Sequence, residues 1–445
     1  MLRLMIPHDF DLEKASLRDK IQYYLRARGM KQNELALASG IHKTAMSQIM
    51  RGSRNFSIEQ LSKLEEVLGL NKGELQKESL SECINKQGKM SLIKCEKLLR
   101  ESLSIENNES LINEITGKIL ETNKNYIGII FEIAEDKYKN NDLKQILPLY
   151  SLITSKIDNR LDERLSLSYY RTFMIRRSIM LTHNEGIKDC KKALSQLIDY
   201  LELMPERYIL DAYLEVIVFL NLIEDYHGTL KYADKLVQIV NGRMNNLRQD
   251  KLDYSKLNYY HCEALLYKGF AYKGMGEFEL SKKIINQYAS IDSNYAKYAI
   301  GNMHLVELLS GKWNHLEQYL KTSTNSKKMN VIFPVLLEAA IKHNEHNQIT
   351  KFLEENGTVL EQLENDNSAV GLKHKLKAYQ YLGVYHLEKG QDHIGIEYIL
   401  KALEMANLFN NETRIKKCWL IFTNNSNKAT IEQLNKFNKI IQDSL

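Results

Sequence analysis

The stretch MKQNELALASGIHKTAMSQIMRGSRN, Met30 to Asn55, places apolar or small residues at Leu35, Ala36, Ile41, Met46 and Ile49, with Gly40 among them. Taking Gln32 as the first position, that spacing predicts two short helices crossing at a tight bend. Ala36 is small where the helices approach, and Gly40 can adopt the left-handed conformation that ends the first of them. Met46 and Ile49, three apart, turn one face of the second helix inward. The opposite face then carries His42, Lys43, Thr44, Ser47 and Gln48.

Those side chains suit the edges of base pairs. If a helix enters a major groove by its N-terminal turn, Lys43 can donate to guanine, Gln48 can pair with adenine, and the Thr44 methyl can touch thymine. Arg51, Arg54 and Asn55, just past the helix, suit phosphates, and Gln32 lies at a helix N-terminus where a phosphate is favoured. Charge agrees with this. Arg18 to Arg54 holds eight basic residues against Asp19 and Glu34, whereas all 445 residues together carry only +5. The positive field therefore belongs to this segment. Apolar stripes at Leu17, Ile21, Tyr24 and Leu25 and at Ile58, Leu61, Leu64 and Leu68 flank the pair. Ser57 as N-cap and Gly69 as terminator delimit the last helix, completing a helical domain over residues 1–70.

The string NELALASGIHKTAMSQIMRG, followed by RNFSIEQLSKLEEVLGL, resembles the XRE/Cro-type helix-turn-helix domain over about Leu17 to Leu70. The resemblance implies five helices, with the second of the pair reading double-stranded DNA, commonly as a dimer on a palindromic operator. Met50 departs from the charged residue frequent at that position.

Composition extends the helical expectation to the whole chain. With only 4 prolines and 21 glycines among 445 residues, an all-α fold is expected, and the length exceeds one ordinary core. Residues 71–110 predict a helical linker, with breaks at Gly73, Gly88 and Asn107-Asn108 and an apolar face of Leu92, Ile93, Leu98, Leu99 and Leu103. Over residues 111–445, polar breaks recur at Asn140-Asn141-Asp142, Asn184-Glu185-Gly186, Glu224-Asp225, Gly276-Glu277, Ser310-Gly311, His343-Asn344 and Gly390-Gln391. Their intervals suit two antiparallel helices per unit and predict a helical-repeat solenoid. Two units are similar to the tetratricopeptide repeat. One matches at Leu265, Gly269, Tyr272, Gly276, Phe278 and Ile285, and the other at Tyr379, Leu382, Gly383, Gly390, Gly395 and Ala402. Gly269 and Gly383 are expected where paired helices cross, and Thr430 to Leu445 is expected to cap the array.

Stacked helix pairs present a concave surface able to hold an extended peptide, and an asparagine amide can both donate to and accept from its backbone. Asn221, Glu263, Tyr298, Asn302 and Gln380 are expected on or near that surface, with Arg171, Arg176 and Arg177 as candidate receivers of a carboxylate. The bland alternatives are a solvated face for the asparagines and surface ion pairs for the arginines.

An XRE-type domain ahead of such repeats resembles the RRNPP superfamily of peptide-sensing regulators, which includes the Rgg, NprR and PlcR types and the phage arbitrium receptors. It implies a cytoplasmic homodimer whose repeat domain binds a short signalling peptide and so alters DNA binding. Two alternatives keep the fold: a repeat domain that binds a partner protein, and a constitutive dimeric repressor without a ligand. The five scattered cysteines suit buried thiols in a reducing cytoplasm, and Pro7, His8 and Asp9 interrupt any N-terminal apolar run, so neither export nor a membrane is expected. P-loop, GxGxxG, HExxH and GxSxG patterns are absent, and His343 and His346 are expected to face solvent. No catalysis, metal or cofactor is expected.

Overall fold

The computed structural model describes residues 15–71, 73–75, 77–83, 90–103, 109–140, 143–182, 186–246, 251–323 and 327–442. Helices make up its regular structure, with no strand among the described residues. Pro7, His8 and Asp9 and the expected breaks at Gly88, Asn107-Asn108, Asn141-Asp142 and Asn184-Glu185 lie outside the described residues. The chain forms two compact units, Met1–Ile175 and Arg176–Leu445.

The first unit opens with α1 (Leu17–Ala27), α2 (Gln32–Ala38), α3 (Lys43–Met50) and α4 (Ile58–Leu68). Leu17, Ile21, Leu35, Met46, Ile49, Leu61, Leu64 and Leu68 are at most 1% exposed and form one core, as their periodicity predicts. Gly40 and Gly69 both take positive φ, 67° and 56°, and Ser57 caps α4 in a reciprocal box with Gln60.

Next come α5 (Leu92–Ser102), α6 (Glu109–Thr122), α7 (Ile127–Lys139), α8 (Leu143–Lys156) and α9 (Glu163–Ser178). Described residues within 71–110, the expected helical linker, contact α1 and α4. The Tyr24 hydroxyl donates to Glu74 at 2.6 Å, Lys20 pairs with Glu78 at 2.6 Å, and the buried Glu65 carboxylate accepts the backbone N–H groups of Gly73 and Leu75 at 2.9 and 2.7 Å. Further along, Cys95, Leu98 and Leu99 of α5 join Ile58, Ile112, Ile115, Ile133 and Leu149 in a second core. These apolar faces bury one another within the compact unit, which runs to Ile175.

The second unit contains α10 (Gly186–Ile198), α11 (Ile209–Leu222), α12 (Tyr226–Asn246), α13 (Lys251–Met275), α14 (Phe278–Ile291), α15 (Ser293–Leu309) and α16 (Asn314–Thr322). It continues with α17 (Lys328–Lys342), α18 (His346–Glu355), α19 (Val359–Asn365), α20 (Ala369–Glu388), α21 (Asp392–Leu408), α22 (Glu412–Asn424) and α23 (Ile431–Gln442). Neighbouring helices pair down the chain, and the turns fall where the polar breaks predict them. Glu224, Gly276, Gly311, Asn344 and Gly390 all take positive φ, of which Glu224 at 63° is the costly instance, being neither glycine nor asparagine. At the end, Phe437 of α23 stacks on Phe422 of α22 with ring centroids 4.0 Å apart.

The two crossing glycines differ. A Cβ on Gly383 would lie 2.5 Å from Ile399 and 3.0 Å from the Gly395 carbonyl, so α20 and α21 meet there only because no side chain intervenes. A Cβ on Gly269 would find ordinary contacts at 3.8 Å with Ile284 and Ile285, so that expected steric need is absent.

The early and late helices of this unit also meet. From α22, Arg414 grips Glu224 in the α11–α12 turn through Nε at 2.7 Å and Nη2 at 3.0 Å, across 190 residues of sequence. Asn411 donates to the same carboxylate at 3.1 Å, Lys373 of α20 donates to the Asn221 carbonyl at 2.6 Å, and Lys191 of α10 donates to the Asn410 carbonyl at 2.7 Å.

Candidate functional site

In the first unit, α3 presents Lys43, Thr44 and Gln48 to solvent with Ser47 half-buried, while Met46 and Ile49 anchor its other face at 0% exposure. Although His42 is exposed, it serves as the N-cap of α3, its Nδ1 accepting the Thr44 N–H at 3.3 Å. Arg51 and Arg54 are exposed beyond the C-terminal end, and Asn55 and Gln32 are half-buried.

The basic residues counted in the sequence divide by task. Arg18 Nε donates to the Ile49 carbonyl at 2.6 Å, and its Nη2 reaches the Arg54 carbonyl at 3.4 Å. A cation there satisfies carbonyls at the C-terminal end of α3, where the helix dipole is negative. Arg28 donates to the Val67 carbonyl at 3.3 Å, and Lys20 is paired with Glu78. Lys43, Arg51 and Arg54 remain along the exposed edge of α3. The positioning role of Arg18 has no local signature, since its partner lies 31 residues away.

The residues expected to hold a peptide are distributed over both units, several with internal partners. Arg171 belongs to the first unit, where its Nε and Nη2 donate to the two Glu135 oxygens at 3.0 Å each, and Tyr150 donates to the same carboxylate at 2.7 Å. Its guanidinium therefore neutralises a buried acid rather than standing open to a ligand. In the second unit Arg176 pairs with Asp189 at 3.0 Å and Arg177 with Glu215. Gln380 is buried and accepts from Arg414 at 2.7 Å, Asn302 donates to the Tyr288 hydroxyl at 3.0 Å, and Glu263 accepts from Tyr295 at 2.5 Å. Burial raises the Glu263 pKa above the ordinary carboxylate value. Tyr298 is 64% exposed. Asn221 stands apart: its carbonyl accepts from Lys373, but its Oδ1 is buried with no hydrogen-bond partner.

Beside Asn221 lies a cluster of charges that no periodicity marks. Lys373, His374 and Lys377 come from α20, Lys273 from α13, Glu338 from α17, Glu224 from the α11–α12 turn and Arg414 from α22. Arg414 takes Glu224 and Lys377 takes Glu338. Burial opposes ionisation of Glu224, but Arg414 more than offsets it and holds the carboxyl at about 2. Lys273 has no carboxylate within ion-pair distance among the described residues, and its ammonium sits 5.0 Å from the centre of the Phe270 ring. Burial, followed by the charges of Lys377 and Lys373, pulls Lys273 down to about 7. Burial likewise brings Lys373 to about 8, against the attraction of Glu224. His374 is pushed to about 3 by burial and by the three lysines, and so is neutral near pH 7.

Among the described residues no group of three His, Cys, Asp or Glu side chains could hold a metal ion. His343 contacts the Leu309 carbonyl at 3.0 Å and His346 the Glu388 carboxylate at 2.8 Å, so the two rings serve different neighbours. All five cysteines are buried thiols outside any disulfide, and no described helix is long and apolar enough to cross a membrane.

Residues 21–75 match the helix-turn-helix family, which makes α1–α4 a helix-turn-helix DNA-binding domain. No curated protein matches the chain. Among solved structures it is similar to Bacillus thuringiensis PlcR in complex with the peptide PapR7 and DNA, at 12% identity and a TM-score of 0.25. That match covers 79% of this chain and 99% of the other. A score of that size assigns no shared fold by itself.

Proposed function

We propose that this chain is a cytoplasmic transcription regulator whose α3 reads an operator and whose second unit binds a short signalling peptide that modulates that reading. The observation that carries the DNA half is the exposed edge of α3. Lys43 and Thr44 project from the first turn and Gln48 from the second turn of a helix whose other face is locked into the core, with Arg51 and Arg54 beyond its end. Side chains on a rigid helix can meet base edges in fixed register, while the arginines take phosphates without reading sequence. Substituting Lys43 and Gln48 by Ala and titrating the chain's own upstream DNA tests this. Each lost base contact is expected to cost about 1–3 kcal/mol at the specific site, with binding to random DNA retained. Unchanged site preference in the double variant removes α3 from the role.

The peptide half is supported by polar groups left unspent inside a helix-pair array. Among the described residues Asn221 Oδ1 is buried without a hydrogen-bond partner, and Lys273 has no carboxylate at ion-pair distance, its ammonium lying over the Phe270 ring. Such arrays hold extended ligands on their inner faces. A homodimer would set two α3 edges on the half-sites of a palindrome. A peptide that favours one separation of those edges over another would then change affinity, by a coupling typically of about 1–3 kcal/mol. Operator binding with and without ligand measures that coupling directly; a value of zero for a peptide that does bind would leave the repeats without a regulatory role.

A further inference from the structure

We infer that the interior of the second unit is a receptor for a carboxylate, received by Lys273 of α13 and Lys373 of α20, with Asn221 taking an adjacent N–H. The inference rests on the peptide reading above and specifies which part of the peptide is recognised.

The charge balance of the cluster is the first argument. Of four cations, Arg414 and Lys377 are matched by Glu224 and Glu338, which leaves Lys273 and Lys373 without a carboxylate at ion-pair distance among the described residues. Lys373 donates to a neutral main-chain carbonyl, that of Asn221. Each ammonium has lost water without an anion at contact distance, which disfavours its charged form in the empty protein, and a ligand carboxylate placed between them would favour that form. The placement of Tyr226 keeps them together. Its ring lies beneath Lys373, 5.9 Å from the ammonium, and packs against Gly274, where a Cβ would come within 2.3 Å of the ring. Residue 274, next to Lys273, thus gives up its side chain to the ring that Lys373 covers.

The second argument is the unpartnered Asn221 Oδ1, which sits on the residue whose carbonyl holds Lys373. A buried acceptor without a donor costs about 1–3 kcal/mol, so a ligand that brings an N–H there relieves it. The C-terminal residue of a peptide carries both groups at once, a carboxylate and, one Cα away, a backbone N–H. An acidic side chain supplies the same anion from a different source. In either case the ligand brings one negative charge to the two lysines that lack one.

Equilibrium dialysis of the full chain against randomised hexapeptide pools tests this, with retained peptide quantified by mass spectrometry. One pool has free C-termini, a second is the same pool amidated, and a third has free C-termini but lacks Asp and Glu. Retention is expected from the first and third pools and about ten- to a hundred-fold less from the amidated pool. K273M and K373M are expected to lose that discrimination, and K273R to keep most of it. Retention of only Asp- or Glu-containing peptides, amidated or not, keeps the receptor and moves the carboxylate to a side chain. Equal retention of free and amidated pools, without preference for acidic residues, overturns the receptor and leaves the peptide reading standing. No retention of any pool overturns both. Thermal melting separates binding from folding: K273M relieves an uncompensated charge and is expected to melt at or above wild type. A K273M protein that melts lower yet discriminates normally would make Lys273 a structural residue and end the inference.

Discussion

At the contact between Arg414 and Glu224, two charged side chains 11% and 10% exposed meet in a strained turn, and each is safe only while the other is present. Arg414→Met leaves the carboxylate buried and is expected to destabilise the protein by about 3–5 kcal/mol, measured by urea unfolding at neutral pH. The pH dependence has a definite sign. Glu224 is held at about 2, below its ordinary 4.5, so its contribution is complete above 4.5 and is lost as pH falls toward 2. The gap between variant and wild type should therefore narrow over that window, and a gap constant from pH 5 to pH 2 would mean that the pair contributes nothing through charge. Neither partner was legible as such in the sequence, because 190 residues separate them. The same limit explains Arg171, which the sequence offers as an open cation and the fold commits to Glu135, 36 residues upstream. By contrast, Met46 and Ile49 were legible because their periodicity is local and one core absorbs them.

Among the elements, the helix pairs were legible through their turns. Positive φ at Gly276, Gly311, Asn344 and Gly390 is a requirement that glycine and asparagine announce locally. How closely two paired helices cross is not announced, and the tetratricopeptide-like glycines show it. At Gly383 an added methyl would meet Ile399 and the Gly395 carbonyl, so Gly383→Ala is expected to cost about 1–3 kcal/mol by forcing α20 and α21 apart. At Gly269 the methyl enters ordinary van der Waals contact within α13, and Gly269→Ala is expected to stabilise by roughly 0.5–1 kcal/mol through the lower flexibility of the unfolded chain. Denaturant midpoints of the two variants should therefore move in opposite directions. A loss at both sites would mean that α13 and α14 cross more tightly than the separations of Gly269 from Ile284 and Ile285 indicate.

For the whole molecule, the proposed homodimer has a consequence that counts reading heads without an image of the complex. Each head brings Arg51 and Arg54, both exposed past α3, to the sugar-phosphate backbone. Each phosphate neutralised by a side chain steepens the fall of log K with log salt by about 0.9, because a condensed counter-ion is released. Removing both arginines from a single bound head should flatten that slope by about 2, and from a dimer on a palindrome by about 4. Filter-binding titrations of wild type and R51A/R54A across a salt series read the difference. Lengthening the spacer by half a helical turn of DNA supplies the complementary check. Two coupled heads on half-sites about 34 Å apart, or a multiple of it, lose register on one face of the duplex, whereas a single head is indifferent. A slope change near 2 together with tolerance of the longer spacer would reject the dimer. A change near 4 with strong spacer dependence would place control of operator affinity in the separation of two α3 edges, the quantity a ligand in the second unit must alter.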